Sequence, residues 1–504
     1  MSLSLKHNVI ASYASQIYGT VIAILMVPLY IRYMGAEAYG LVGFFTMLQM
    51  WFQLLDLGLT PTMARETARY RGGAIDALAL RRLLRALEGI FVGVGVVGAA
   101  AMMAGAGFTA ASWLNVQHLP LAEVRNALML MAAIVALRWI SGLYRGAIGG
   151  FERLVWLGAF NSAVATARFV LVIPFFIYVG TSPTAFFAFQ LAVAVAELAL
   201  LVRQTYHLLP PASGRHALRW EWAPLRGVLS FSLTLAFTNS VWVLVTQTDK
   251  LVLSKLLPLA DYAYFTLAVL VASGVIVISG PISVALLPRL TKLSAEGDEA
   301  GLIRLYRNTT QLVGVIAVPA ALMLAVFAEQ VLWAWTGDAE VVRHAAPVLT
   351  LYALGNGIMA LVAFPYYLQF AKGDLKLHLI GNALFVLLLI PALVWAAWRY
   401  GAVGAGYAWL GANIAFFLIY VPSVHARFIK GLHGQWLRRD VSAIVLAALA
   451  AALCAHWSMH WPQERWLVAA GIALLSLGVV AVAAMASSWI RETFNDMRRA
   501  QFAR

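Results

Sequence analysis

From Val9 to Ile31 the chain runs without a single Asp, Glu, Lys or Arg, and stretches of this kind recur to its far end. An apolar run of about 20 residues makes a helix about 30 Å long, the thickness of the hydrocarbon core of a bilayer. Inside that core every backbone N–H and C=O must be satisfied within the spanning structure, which leaves helices or closed barrels. Windows of about 19 residues give about fourteen helical spans. Their approximate limits are 9–31, 40–62, 87–107, 126–146, 155–179, 185–202, 227–250, 260–287, 309–328, 346–370, 378–398, 405–424, 440–457 and 466–489. Hydrophobic residues make up 62% of the chain and mean hydropathy is +0.81, against roughly half apolar content in soluble domains. The sequence predicts an all-α polytopic membrane protein.

An even number of spans puts both termini on one side. With that side cytoplasmic, the outer flanks carry Arg32, Arg125, Lys255, Arg343, Arg399 and Arg465, while Arg138, Arg168 and Lys250 fall inside spans. Most of the 36 Lys and Arg residues then face the cytoplasm. This is the bias that sets membrane orientation, and it absorbs the net charge of +14 without nucleic acid. The first span is too long for the apolar region of a cleaved signal and no A-x-A site follows, so it is expected to stay as a helix. Cys454 is the single cysteine, which excludes an intramolecular disulfide and a cysteine metal cluster.

The stretch 203–226, with Pro210-Pro211, Ser213-Gly214 and several arginines, has linker chemistry. It divides the chain into 1–202, a six-span bundle; 203–226, a cytoplasmic linker; 227–430, a second six-span bundle; and 431–504, two further spans and a tail. A faint repeat relates the bundles at a nearly constant offset. Ala38-Tyr39 matches Ala263-Tyr264, Arg65 matches Arg289, and Arg82-Leu-Leu-Arg85 matches Arg304-Leu-Tyr-Arg307. An even number of spans separates the copies, so the repeat is parallel.

Several motifs follow in order: "VPLYIRYMGAEAYGLVGFF", "DLGL" at Asp56–Leu59, "TDKLVLSKLL", "WTGD" at Trp335–Asp338, "LGN" at Leu354–Asn356, "PYYLQFAKG" at Pro365–Gly373 and "YGAVGAG" at Tyr400–Gly406. Together, from about Leu5 to Lys430, they resemble the polysaccharide-transport family of the multidrug/oligosaccharidyl-lipid/polysaccharide exporter superfamily. The resemblance implies two six-helix bundles in a V around a central cavity, with two extra C-terminal helices. It also implies a bacterial inner-membrane flippase that moves undecaprenyl-pyrophosphate-linked oligosaccharide to the periplasmic leaflet for O-antigen (lipopolysaccharide), capsule or exopolysaccharide assembly. Its partners would be that lipid, the bilayer and a glycan polymerase or other biosynthetic protein. The alternatives are an ion-coupled drug or metabolite antiporter of the same superfamily and, ranking lower, a membrane glycan polymerase or ligase, against which the short outer breaks argue.

Charges within a span cost about 2.5–3.5 kcal/mol each on insertion scales, so they usually mark a partner or a watery cavity. A pyrophosphate load would call for cations, and arginine offers a phosphate two parallel donors. Arg168, roughly 21 Å into its helix, is the leading candidate, its alternative being a bridge to Asp56 or Glu197. Arg138 ranks lower, because it precedes Arg145 by only two turns and its head could reach the cytoplasmic interface. Asp249 and Lys250 point about 100° apart on a helix; Lys250 is read as facing the cavity and Asp249 as a gate partner for an opposing charge such as Arg32. Asn161 and Asn239 are candidate sugar ligands, with helix packing as the competing role for each amide. No phosphate-binding loop of the G-x-x-x-x-G-K-[ST] type occurs. No cofactor or metal is expected, and proton or sodium coupling stays open, with Asp56, Asp249 and Glu197 as candidate ion sites. His456 and His460 share an i, i+4 spacing but lack a third ligand.

Overall fold

The computed structural model describes residues 3–210 and 229–493, which are helical almost throughout; the linker residues 211–226 lie outside the described residues. Twelve segments among the described residues are long and apolar enough to cross a bilayer. One of them, Lys376–Phe428, has 53 residues; straight, it would reach about 80 Å, more than twice the hydrocarbon thickness. It folds back at Gly401, whose φ of 59° and ψ of −139° are not helical, and so holds two of the expected spans. The expected seventh span is also a helix, Leu229–Leu256. The multi-span all-α architecture read from hydropathy is therefore the observed one.

The helices pack into two compact units, Met1–Ala263 and Tyr264–Arg504. The first contains α1 (Leu3–Met34), α2 (Ala36–Phe52), α3 (Leu59–Arg71), α4 (Ala77–Phe108), α5 (Leu121–Gly150), α6 (Leu154–Phe169), α7 (Val172–Tyr178), α8 (Pro183–Leu208) and α9 (Leu229–Leu256). Their outward faces are apolar, as lipid requires: Val97 on α4 is 69% exposed. Hydrophobic burial cannot drive helix pairing in lipid, so close packing does it. On α5, Gly142, Gly146 and Gly150 recur every fourth residue and form a groove for α3. A β-carbon on Gly146 would stand 2.6 Å from the Thr60 carbonyl oxygen, and one on Gly150 would stand 2.4 Å from that of Ala64. Above the groove, Trp139 stacks on Phe91 of α4 with ring centres 4.4 Å apart.

The second span ends sooner than expected. Leu57 (φ 47°) and Gly58 (φ 74°) take left-handed conformations and stop the chain after Asp56. Asp56 then accepts from the Thr60 hydroxyl at 2.5 Å and from the Thr60 amide. It stabilises the start of α3, whose amphipathic sequence occupies much of the expected polar break. The end of α9 is tied to the segment before α5: Trp113 donates to Ser254 Oγ at 3.0 Å, and the Lys255 ammonium sits 5.0 Å from the Trp113 ring centre.

The second unit takes α10 (Leu259–Ala295) from Tyr264 onward, then α11 (Glu299–Val326), α12 (Ala328–Thr336), α13 (Ala339–Lys372), α14 (Lys376–Phe428), α15 (Leu432–Ser458) and α16 (Arg465–Ala486). The two arms of α14 run antiparallel: His378 reaches Tyr420, Phe385 meets Phe416, and a β-carbon on Gly404 would strike the Ala396 carbonyl oxygen. Caps repeat the register of the sequence. Asp76 accepts from the Ala79 amide to start α4, and Asp298 accepts from the Gly301 amide to start α11, at the offset that relates Arg82 to Arg304. The last two helices are latched to α11 by a buried node. Arg307 donates to Asp440 through Nε (2.6 Å) and Nη2 (3.0 Å), and Gln311 Nε2 donates to Asp440 at 2.8 Å. Gln311 Oε1 in turn accepts from Ser487 Oγ at 2.6 Å and from the Trp489 amide.

Candidate functional site

The polar interior of the first unit is built by two helices with matching spacing. Arg138 and Arg145 lie two turns apart on one face of α5, and Gln190 and Glu197 lie two turns apart on α8. Arg138 donates through Nη2 to Gln190 Oε1 (2.9 Å) and through Nη1 to Gln49 Oε1 of α2 (3.1 Å). Arg145 donates through Nη2 to Glu197 Oε1 (2.5 Å) and through Nη1 to Asn161 Oδ1 of α6. Arg138 thus turns to α2 and α8 instead of reaching for the cytoplasmic interface, because the amide oxygens of buried Gln190 and half-buried Gln49 accept its hydrogen bonds there.

Arg168 stands at a break in a membrane span. Pro174 has no N–H for the carbonyl four residues before it, so the helix stops at Phe169 and resumes at Val172. Carbonyls beside the break find side-chain donors instead: Gln190 Nε2 reaches the Arg168 oxygen (2.8 Å) and the Tyr30 hydroxyl reaches that of Phe169 (2.9 Å). Gln190 therefore joins Arg138 to the break. The Arg168 guanidinium lies 5.2 Å from the Phe169 ring centre. Its reach covers Arg145, Glu197 and Arg138 electrostatically.

Three guanidiniums here meet one carboxylate, Glu197, among the described residues. Donor capacity is left over: the buried Nε atoms of Arg138 and Arg168 have no hydrogen-bond partner among the described residues, nor does the buried Oε2 of Glu197. Such an arrangement favours an anion with several acceptor oxygens. A helix interrupted in mid-span is also where transporters commonly place a binding site.

The other expected residues are placed as follows. Asp249 is buried, and the long stem of Lys250 folds back so that its Nζ donates to the Thr246 carbonyl (2.7 Å) and lies 3.7 Å from Asp249 Oδ1. Neighbouring positions that point apart are thus joined by lysine's reach. Arg32 is exposed in the last turn of α1. Asp56 caps α3, and the Asn239 side chain lies outside the described residues. His460 falls beyond the end of α15, so it does not share a helical face with His456. Among the described residues no group of three or more His, Cys, Asp or Glu side chains converges on a metal position. Gln49, Gln190, Tyr30 and the inward engagement of Arg145 were not anticipated; the paired spacings on α5 and α8, and Pro174, were the available signals.

Residues 5–294, more than half of the chain and all of this polar site, match the family described as "Polysaccharide biosynthesis protein". The chain belongs to the polysaccharide biosynthesis protein family. No curated protein matches it by sequence. Among solved structures it resembles the lipid II flippase MurJ in an inward closed conformation, with a TM-score of 0.69 and 14% identity over 95% of this chain and 97% of that one. It also resembles an inward-facing multidrug resistance MATE family transporter of the MOP superfamily (TM-score 0.68, 14% identity, 82% and 96% of the two chains). A MOP superfamily transporter from Pyrococcus furiosus is similar with a TM-score of 0.55, 14% identity and coverages of 84% and 96%. At this identity the likeness is one of fold: this member of the polysaccharide biosynthesis protein family has a transporter-type multi-span architecture.

Proposed function

We infer that the protein is a flippase that carries undecaprenyl-pyrophosphate-linked oligosaccharide units from the cytoplasmic to the periplasmic leaflet of the bacterial inner membrane, with both termini cytoplasmic, for O-antigen, capsule or exopolysaccharide assembly. The observation that carries this reading is the excess of Arg138, Arg145 and Arg168 over Glu197 inside the first unit. A pyrophosphate and a polar glycan cannot cross about 30 Å of hydrocarbon unless something replaces their hydration. Guanidiniums supply charge and paired donors to the phosphates, and nearby amides such as Asn161 and Gln49 supply groups suited to sugar hydroxyls. The lipid tail stays in the bilayer while the two halves alternate access. A cation exporter would be expected to carry net acid in its site; this site carries the opposite sign. For proton or sodium coupling the candidate acids are the buried Glu197, which keeps one carboxylate oxygen unengaged, and the buried Asp249, with Asp56 serving as a cap.

The test is leaflet exchange of a labelled polyprenyl-pyrophosphate oligosaccharide in proteoliposomes. The native protein is expected to accelerate it, and Arg168→Ala and Arg138→Ala to slow it at least about tenfold, roughly 1.4 kcal/mol, at matched folded protein. Failure of the native protein with several glycans under either ion gradient overturns the reading.

A further inference from the structure

Resting on that reading, the geometry points to Glu197 as a built-in stand-in for the cargo's phosphate: its carboxylate holds Arg145 in the empty site and yields that guanidinium when the pyrophosphate arrives. The matching faces of α5 and α8 set the argument. At the first pair, Arg138 meets a neutral amide, Gln190; two turns on, Arg145 meets an acid, Glu197. A purely structural contact would be served by an amide at either place, as Gln190 shows. The acid adds a negative charge where the cargo would need to place its own.

The contact is also incomplete. Glu197 is 4% exposed, yet only Oε1 is engaged, and Oε2 is buried without a hydrogen-bond partner among the described residues. Arg145 keeps 28% of its side chain exposed, so an incoming anion can compete for it while Glu197, 4% exposed, holds it from within the unit. Asn161 Oδ1, the other acceptor on Arg145, keeps the arginine aimed when the carboxylate lets go. Competition of this kind weakens binding in exchange for release. A site holding three unopposed guanidiniums would retain a pyrophosphate and stall the cycle.

Binding of geranylgeranyl pyrophosphate, inorganic pyrophosphate and phosphatidylglycerol to the purified protein in nanodiscs, paired with leaflet exchange, tests this. Glu197→Gln is expected to bind the prenyl pyrophosphate about tenfold more tightly and to exchange cargo severalfold more slowly; Arg145→Ala is expected to lose at least about tenfold in affinity. Asn161→Asp, which gives Arg145 a second counter-charge with the same shape, is expected to weaken binding, and it keeps the test alive should Glu197→Gln not fold. Unchanged or weaker binding by folded Glu197→Gln overturns the assignment while native exchange leaves the flippase reading standing. If the same order appears with phosphatidylglycerol and not with pyrophosphates, the competing anion is a membrane lipid and the assignment to cargo falls. If the native protein binds no pyrophosphate and exchanges no cargo, the flippase reading falls with it.

Discussion

Two half-buried arginines, Arg307 in the second unit and Arg145 in the first, show how differently one residue type is used. Arg307 makes a two-pronged contact with Asp440, which is fully buried and also accepts from Gln311, and Gln311 is itself satisfied by Ser487 and Trp489. Arg145 holds Glu197 by one oxygen, and its neighbours Arg138 and Arg168 keep buried donors with no partner among the described residues. A closed network fixes helices, because removing any member strands the rest. An open one holds unspent hydrogen-bonding capacity, which is what a ligand needs. The difference separates a latch from a candidate site without reference to any ligand.

The comparison is broken most forcefully by removing the acid of the latch. Asp440→Ala takes both hydrogen bonds from Arg307 and one from Gln311 and should cost about 3–5 kcal/mol of stability, read as a lowered midpoint of unfolding in SDS; a loss below about 1 kcal/mol would show the node is no latch. Next in size is Gly146→Ala, which presses a methyl group against the Thr60 carbonyl and should cost about 1–3 kcal/mol by overpacking, measured in the same way. Smaller again is Arg168→Met in the open site. Its expected stability change is within about 1 kcal/mol of zero and of either sign, since a buried cation without full compensation gives up little when it leaves, while exchange activity is lost. A large destabilisation would place Arg168 with the latch.

The smallest effect belongs to an ion pair at the surface. Asp374, between α13 and α14, accepts from the Lys376 amide and the Arg427 guanidinium, which hold its carboxyl below its ordinary value. A carboxyl with a folded pKa below its unfolded one adds stability at pH above the unfolded value and loses it as pH falls through the folded value. The contribution should therefore fade only below about pH 4. Asp374→Asn is expected to remove that acid-sensitive part of the melting temperature, with a smaller shift than Gly146→Ala at neutral pH.

Motifs that carried the family resemblance turn out to be punctuation and packing. In "DLGL", Leu57 and Gly58 turn the chain and Asp56 caps α3; in "WTGD", Gly337 (φ 66°) closes α12 and Asp338 caps α13; in "YGAVGAG", Gly401 reverses α14. "LGN" packs Gly355 under Trp409 and binds Asn356 to it at 3.1 Å. They were legible because a turn needs a particular residue at a particular place. Arg168 was legible for a related reason, its cost in lipid. Arg145 looked interfacial, since position along a helix does not say which neighbour its face meets. The approach of Lys250 to Asp249 was not legible, because the helical angle between adjacent positions says little about a side chain with four carbons of reach.

The sequence by itself determined that the chain crosses the membrane many times as helices, where most spans lie, and that its two halves share a pattern, because lipid punishes unsatisfied backbone and charge at every step. Only the tertiary structure decided which arginines are closed into a latch and which are left open beside a broken helix. That choice depends on side chains brought together from helices far apart in the chain, as Arg307 and Asp440 are, and no local pattern encodes such a meeting.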